Sequence, residues 1–114
     1  MSYDSNNIFA KIIRGEIPCE IVDESAFFIS FYDLYPKAPI HVLVIPKGEF
    51  ENAFSFHNDA TQEQIYGFYQ GLNQVIAKLD LNNIGFKLLS NNGVGGGQEI
   101  FHYHVHLLGG FENS

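Results

Sequence analysis

The sequence predicts an α+β fold, a mainly antiparallel five-stranded sheet with one long and one short helix. Three observations carry this expectation. Residues 59–80 place Ile65, Phe68, Tyr69, Leu72, Val75, Ile76 and Leu79 at spacings of three and four, which lines one face of a long helix. Stretches on either side alternate with the period of two that belongs to strands, as Phe27, Ile29 and Phe31 do against Phe28, Ser30 and Tyr32. The gap at Glu24 and Ser25 between the first two such stretches suits an antiparallel hairpin.

Taken in order, Asn6 or Asn7 caps a short helix over residues 8–14, in which Ile8, Phe9, Ile12 and Ile13 form an apolar side and which Gly15 ends. Residues 20–23 and 26–32 are the hairpin strands. Residues 33–39 contain Pro36 and Pro39, which disfavour both helix and central strand, and residues 41–45 resume as a strand stopped by Pro46, Lys47 and Gly48. The long helix begins at a capping box made by Thr61 with Gln64 or by Asp59 with Gln62. Asn82 and Asn83 turn the chain into a strand over 84–89. A glycine-rich loop over 91–98 then leads to a last strand over 102–108. With no internal repeat in view, residues 1–114 read as one domain with helix packed on sheet.

The composition narrows the class. A chain of 114 residues that is 46% hydrophobic can bury one core and is not a disordered tail. Six basic against thirteen acidic side chains, a formal charge of −7 and no basic stripe argue against nucleic acid as a partner, though a local site can still take a small anion. Cys19, the only cysteine, has no internal disulfide partner, and residues 1–7 lack the basic start and apolar run of a signal peptide. No apolar stretch approaches the roughly 20 residues that cross a bilayer. The expectation is a reduced, soluble, cytoplasmic protein with no membrane partner.

His102, His104 and His106 alternate with Tyr103, Val105 and Leu107, so a strand there projects all three imidazoles from one face, above a buried apolar face. His57, alone between Phe56 and Asn58, reads as an ordinary surface or packed histidine. Imidazoles held together repel when protonated, a cost that a purely structural strand avoids. Two chemistries use such a row. A zinc ion could take two of the rings together with His41. Against it, the outer two Cα atoms lie roughly 13 Å apart at strand rise, which strains a common ligand set. The other chemistry is nucleophilic catalysis, in which one ring attacks while its neighbours orient it and hand a proton to the leaving group. The glycine-rich loop favours the second, because such a loop can turn backbone N–H groups inward as an anion nest. It lacks the Gly-Lys-Ser/Thr ending of a Walker loop.

These stretches together resemble the histidine-triad (HIT) nucleotide-binding family, in its Hint-type purine nucleoside phosphoramidate hydrolase branch. The likeness runs from Ile8 to Gly110. It rests on residues 8–18, on Phe31, Asp33, Pro36, Ala38, Pro39 and His41, on Asn91, Gly93, Gly96, Gly97 and Gln98, and on the run from His102 to Leu108. The resemblance implies a HIT-like fold and a purine nucleoside monophosphate-type ligand. Its ribose would lie on Asp33, its base among Phe9, Ile12, Ile17, Phe31 and Leu34, and its α-phosphate beside Asn91, Gly97 and Gln98. It implies His104 as the nucleophile, His106 at the leaving group, and His102 and His41 as orienting and relaying groups. A nucleotidyl-histidine would form and be hydrolysed, with no metal or cofactor, and the chain would be a homodimer. Without the resemblance, Asp33 reads as a turn-capping carboxylate and Ile17, Phe31 and Leu34 as core.

Glu99 departs from the pattern, standing where some relatives have a serine that touches the phosphate region, so any contact there falls to its backbone N–H. Only four residues follow Gly110, whereas some members carry a longer tail. The expected function is a phosphoramidate hydrolase. The rival readings are a dinucleoside polyphosphate hydrolase or nucleotidyltransferase, a nucleotide- or partner-binding module with incidental activity, and a zinc hydrolase.

Overall fold

The chain runs α1 (Ile8–Ile13), β1 (Ile21–Glu24), β2 (Phe28–Tyr32), β3 (Ile40–Pro46), α2 (Ala53–Asp59), α3 (Gln62–Lys78), α4 (Leu81–Ile84), β4 (Phe86–Leu89), a 3-10 turn (Val94–Gly96) and β5 (Val105–Gly109). This computed structural model describes residues 3–111, so the tail singled out above lies largely outside the described residues. The strands form one five-stranded antiparallel sheet in the order β1-β2-β3-β5-β4. The α+β class and the antiparallel sheet expected from the sequence are therefore what the chain adopts.

Alternation along β3 and β5 sends side chains to two different cores. Val42, Val44, Val105 and Leu107 meet α3 and α2 through Phe56, Phe68, Leu72 and Val75. On the opposite face Leu43 and Ile45 join Ile29 and Phe31 beneath Phe9 and Ile12 of α1. The register pairs Leu43 with His106 and His41 with Leu108, so His41 and His106 emerge on the α1 side, diagonal to each other.

The helices begin where short polar side chains satisfy orphan N–H groups. Asn7 accepts from Ala10 N–H at 2.9 Å, and of the two possible boxes for the long helix the chain uses Thr61 with Gln64. Two glycines one turn apart let α3 lie close on the sheet. A Cβ at Gly67 would sit 2.3 Å from the Phe27 ring and one at Gly71 2.2 Å from the Phe28 ring.

The structure corrects several expected boundaries. The helical region preceding β4 is divided, because Asn52 and Ser55 form a capping box of their own and start α2, and Ala60 then takes an extended conformation before Thr61 restarts the helix. Asn82 and Asn83 lie within a single helical turn, α4, entered through Asp80 in the left-handed region at φ 59°. The fold thus holds two short helices beyond the expected pair. The hydrogen-bonded part of the last strand starts at Val105, so His102, in a bend, and Tyr103 and His104 precede it outside the ladder.

Candidate active site

The histidine row keeps its alternation although two of its three members, His102 and His104, lie outside the strand. Tyr103 packs in the α3 core against Phe56, while the rings of His102 and His104 both meet Phe9 of α1 on the other face, with centroids at 6.3 and 4.9 Å. The row does not line an open surface, as the sequence suggested. His102 is 0% and His104 6% exposed, because α1 and the N-terminal segment roof them, and His106 is partly buried.

Hydrogen bonds fix the proton on each ring, since a carbonyl can only accept and a backbone N–H can only donate. His104 Nδ1 lies 2.7 Å from the carbonyl oxygen of His102, so Nδ1 carries the proton and Nε2 keeps a bare lone pair. Lys37 N–H donates to His41 Nδ1 at 3.0 Å, so His41 carries its proton on Nε2, which donates to His106 Nδ1 at 3.0 Å. His106 then has its proton on Nε2. The two rings, 5.0 Å apart between centroids, therefore present opposite capabilities: one nitrogen that can attack and one that can donate. His102 is bonded away from the other rings. Its Nε2 donates to the Pro46 carbonyl at 2.9 Å and its Nδ1 accepts from the Tyr3 hydroxyl, and only its backbone touches His104.

Burial favours the neutral form of all four rings. Burial holds His102 and His106 at about 4, and His106 is lowered further by the neighbouring His104 and His41. It lowers His104 and His41 as well, against the nearby Asp33 carboxylate.

His104 and His106 open on a cleft of about 240 Å³ that also has Asp33, Lys37, Asn91, Gly97 and Glu99 in its walls. Next to it is an apolar pocket of about 140 Å³ bounded by Phe9, Ile12, Ile17, Phe31 and Leu34, which meets the cleft at Phe9, Asp33, Tyr35, Leu43 and Ile100. A roomier surface hollow of about 500 Å³ on α3, around Tyr66, holds no titratable group but tyrosines, so size does not single out the site. The apolar set expected from the sequence is thus brought together beside the histidines. Leu34 stands 69% exposed at the rim, so it is not a core residue. Asp33 does cap a turn, accepting from Tyr35 N–H at 2.8 Å through Oδ1, while Oδ2 faces His41 Nε2 at 3.5 Å.

The glycine loop is not an open nest. The N–H groups of Gly93, Gly96, Gly97 and Gln98 all bond inside the loop. The Gln98 side chain turns inward, accepting from Gly93 N–H at 2.8 Å and donating to the carbonyls of Glu51 and Ile100. The loop and its exit reach the cleft wall through Asn91, Gly97 and Glu99, and the Glu99 N–H has no acceptor among the described residues. Sequence reading missed Lys37, Tyr35, Leu43, Cys19 and Ile100 as cavity walls. None of them belongs to a spacing pattern that would have marked it.

Asp33, His41 and His106 each bring one possible ligand atom within 4.8 Å of the others. A cation there would need His41 Nε2 bare, yet Lys37 N–H occupies Nδ1 and leaves the ring proton on Nε2. The hydrogen-bond pattern therefore favours a proton chain over a ligand set.

A HIT domain model matches residues 14–113. An uncharacterized 13.2 kDa HIT-like protein of Azospirillum brasilense is 40% identical over 109 residues, spanning 96% of this chain and 89% of its own length. An uncharacterized HIT-like protein of Helicobacter pylori is 43% identical over 104 residues, spanning 91% and 96%. Among solved structures, a HIT family hydrolase from Clostridium thermocellum superposes with a TM-score of 0.86 at 36% identity, covering 97% of this chain and 96% of that one.

Proposed function

The chain belongs to the HIT domain family, and from that premise we propose that it hydrolyses nucleotide conjugates at the α-phosphorus, with purine nucleoside 5′-phosphoramidates as its substrate class. The observation that carries this reading is the opposed protonation of His104 and His106 on one cleft wall.

The base lies in the apolar pocket, the ribose hydroxyls on Asp33, and the α-phosphate against His104, with the Asn91 amide, the Glu99 N–H and Lys37 near its oxygens. His104 Nε2 attacks phosphorus as the bond to the leaving nitrogen breaks, and His106 Nε2–H gives that nitrogen its proton. Water then attacks the phosphorus of the nucleotidyl-histidine. Its proton passes to His106 Nε2, His104 leaves, and the products are nucleoside monophosphate and amine. Donors aimed at the phosphate oxygens lower the barrier because they meet growing negative charge without reorganising. Gln98 acts as a staple that holds the loop, and His102 as a buried brace whose carbonyl sets the His104 tautomer.

A homodimer in the cytoplasm is part of the same proposal. Sedimentation at micromolar concentration tests the dimer, with a species near twice 12.8 kDa expected. No helix among the described residues is long and apolar enough to cross a membrane.

The activity itself is tested with adenosine 5′-phosphoramidate and a dinucleoside tetraphosphate as alternative substrates, following monophosphate release. Faster turnover of the phosphoramidate, lost in His104→Ala, supports the reading. Tight monophosphate binding with no turnover of either contradicts it and favours the binding module. Nucleotide transfer to added phosphate in preference to water would mark a transferase.

A further inference from the structure

The cleft contains two charged side chains that pair with nothing among the described residues, Lys37 and Glu99. They are not placed alike. Lys37 belongs to the connection before β3, where its backbone N–H contacts His41, whereas Glu99 directly follows the glycine loop. Glu99 therefore enters the cleft wall from the glycine-loop side.

It also takes no part in the apolar pocket. A substrate whose base fills that pocket and whose phosphorus meets His104 directs its leaving group into the part of the cleft that the pocket does not share, whose walls are Lys37, Asn91, Gly97, Glu99, His104 and His106. The backbone there is held. Gln98, immediately before Glu99, is 6% exposed and its side chain makes three hydrogen bonds, one from Gly93 N–H and two to the carbonyls of Glu51 and Ile100, so the loop presents the next side chain from a fixed point.

We propose that Glu99 selects the leaving group by charge, favouring conjugates whose departing amine bears an additional positive charge and disfavouring those whose departing part is anionic, such as a polyphosphate. The proposal rests on the phosphoramidate reading above and narrows its substrate class. Glu99 is solvent-exposed, so its carboxylate acts on a charge a few ångströms away through a well-screened medium. The expected discrimination is about tenfold between cationic and anionic leaving groups, and salt weakens it.

The test uses three adenosine 5′-phosphoramidates built on ethylenediamine, propylamine and β-alanine, whose amines depart with positive, neutral and negative substituents. The readout is kcat/KM from monophosphate release, at low and high ionic strength. Wild type should rank them in that order, with the spread narrowing in high salt. Glu99→Gln should reduce the cationic-to-anionic ratio to about twofold. Glu63→Gln makes the same change in net charge on exposed α3, across the sheet, and should keep the wild-type ratio. An unchanged ratio in Glu99→Gln, an equal loss in Glu63→Gln, or turnover of all three conjugates without charge order overturns the role of Glu99 and leaves the phosphoramidate reading intact. Release from none of the three overturns that reading and this proposal with it.

Discussion

His41 Nε2–H donates to His106 Nδ1 across 3.0 Å, a contact between residues 65 apart in sequence that decides which nitrogen of His106 faces the cleft with a proton. The bond has one possible direction, because the Lys37 N–H already fills the other nitrogen of His41. A backbone donor on the Pro-rich connection thus sets the tautomer of His106 through two rings.

His41→Phe removes that donor and frees His106 to take either tautomer. kcat should fall on the order of 100-fold with a smaller effect on KM, since the lost function is proton delivery. The ¹⁵N shifts of His106 should move from a single Nε2–H form to a mixture. An unaltered His106 spectrum in this variant would show that the ring is oriented by something else.

Burial keeps His104 neutral below the ordinary imidazole range, so the acid limb of kcat/KM should lie under the usual value of about 6.5. His102 has a stability counterpart. Its folded value of about 4 is below the unfolded 6.5, so the unfolded chain binds more protons between those limits and stability falls as pH drops through that window. The loss is on the order of 3 kcal/mol for this buried ring and is absent above the unfolded value. Denaturant titrations from neutral to acid pH check the sign, and His102→Asn should flatten the dependence.

Gln98→Ala removes the loop staple and leaves the Gly93 N–H and the carbonyls of Glu51 and Ile100 without their side-chain partner. A destabilisation of about 1–3 kcal/mol is expected by urea unfolding. KM should rise with it, because Asn91 and the Glu99 N–H lose their fixed positions.

Gly71→Ala tests the packing of α3 on the sheet. The new Cβ would meet the Phe28 ring at 2.2 Å, so the ring or the helix must shift, at a cost of about 1–3 kcal/mol, despite alanine being the better helix former. Thermal melts should show the loss, while the tautomers of His104 and His106 stay as they are.

The period-two and period-3.6 patterns made the sheet and the long helix legible because each strand and helix buries a separate face. The alternation of Tyr103, Val105 and Leu107 against the three histidines survives even where ladder bonds are missing. The short helix over Ala53–Asp59 was harder to read, since only the Asn52–Ser55 capping pair marks it. The site residues were legible as a group, through His41, Asp33, the glycines and the triad. Their states were not. That His102 is sealed under Tyr3 and that Gln98 faces inward toward Glu51 depend on contacts between distant segments, which spacing does not encode.

The central claim is that the bare Nε2 of His104 forms a bond to phosphorus. Rapid quenching of the enzyme with adenosine 5′-phosphoramidate, followed by peptide mass spectrometry, tests it directly. The expected result is a transient adenylate on the peptide bearing His104, decaying as monophosphate appears and absent from His104→Ala. An adduct on a different residue, or near-wild-type turnover by His104→Ala, would contradict it.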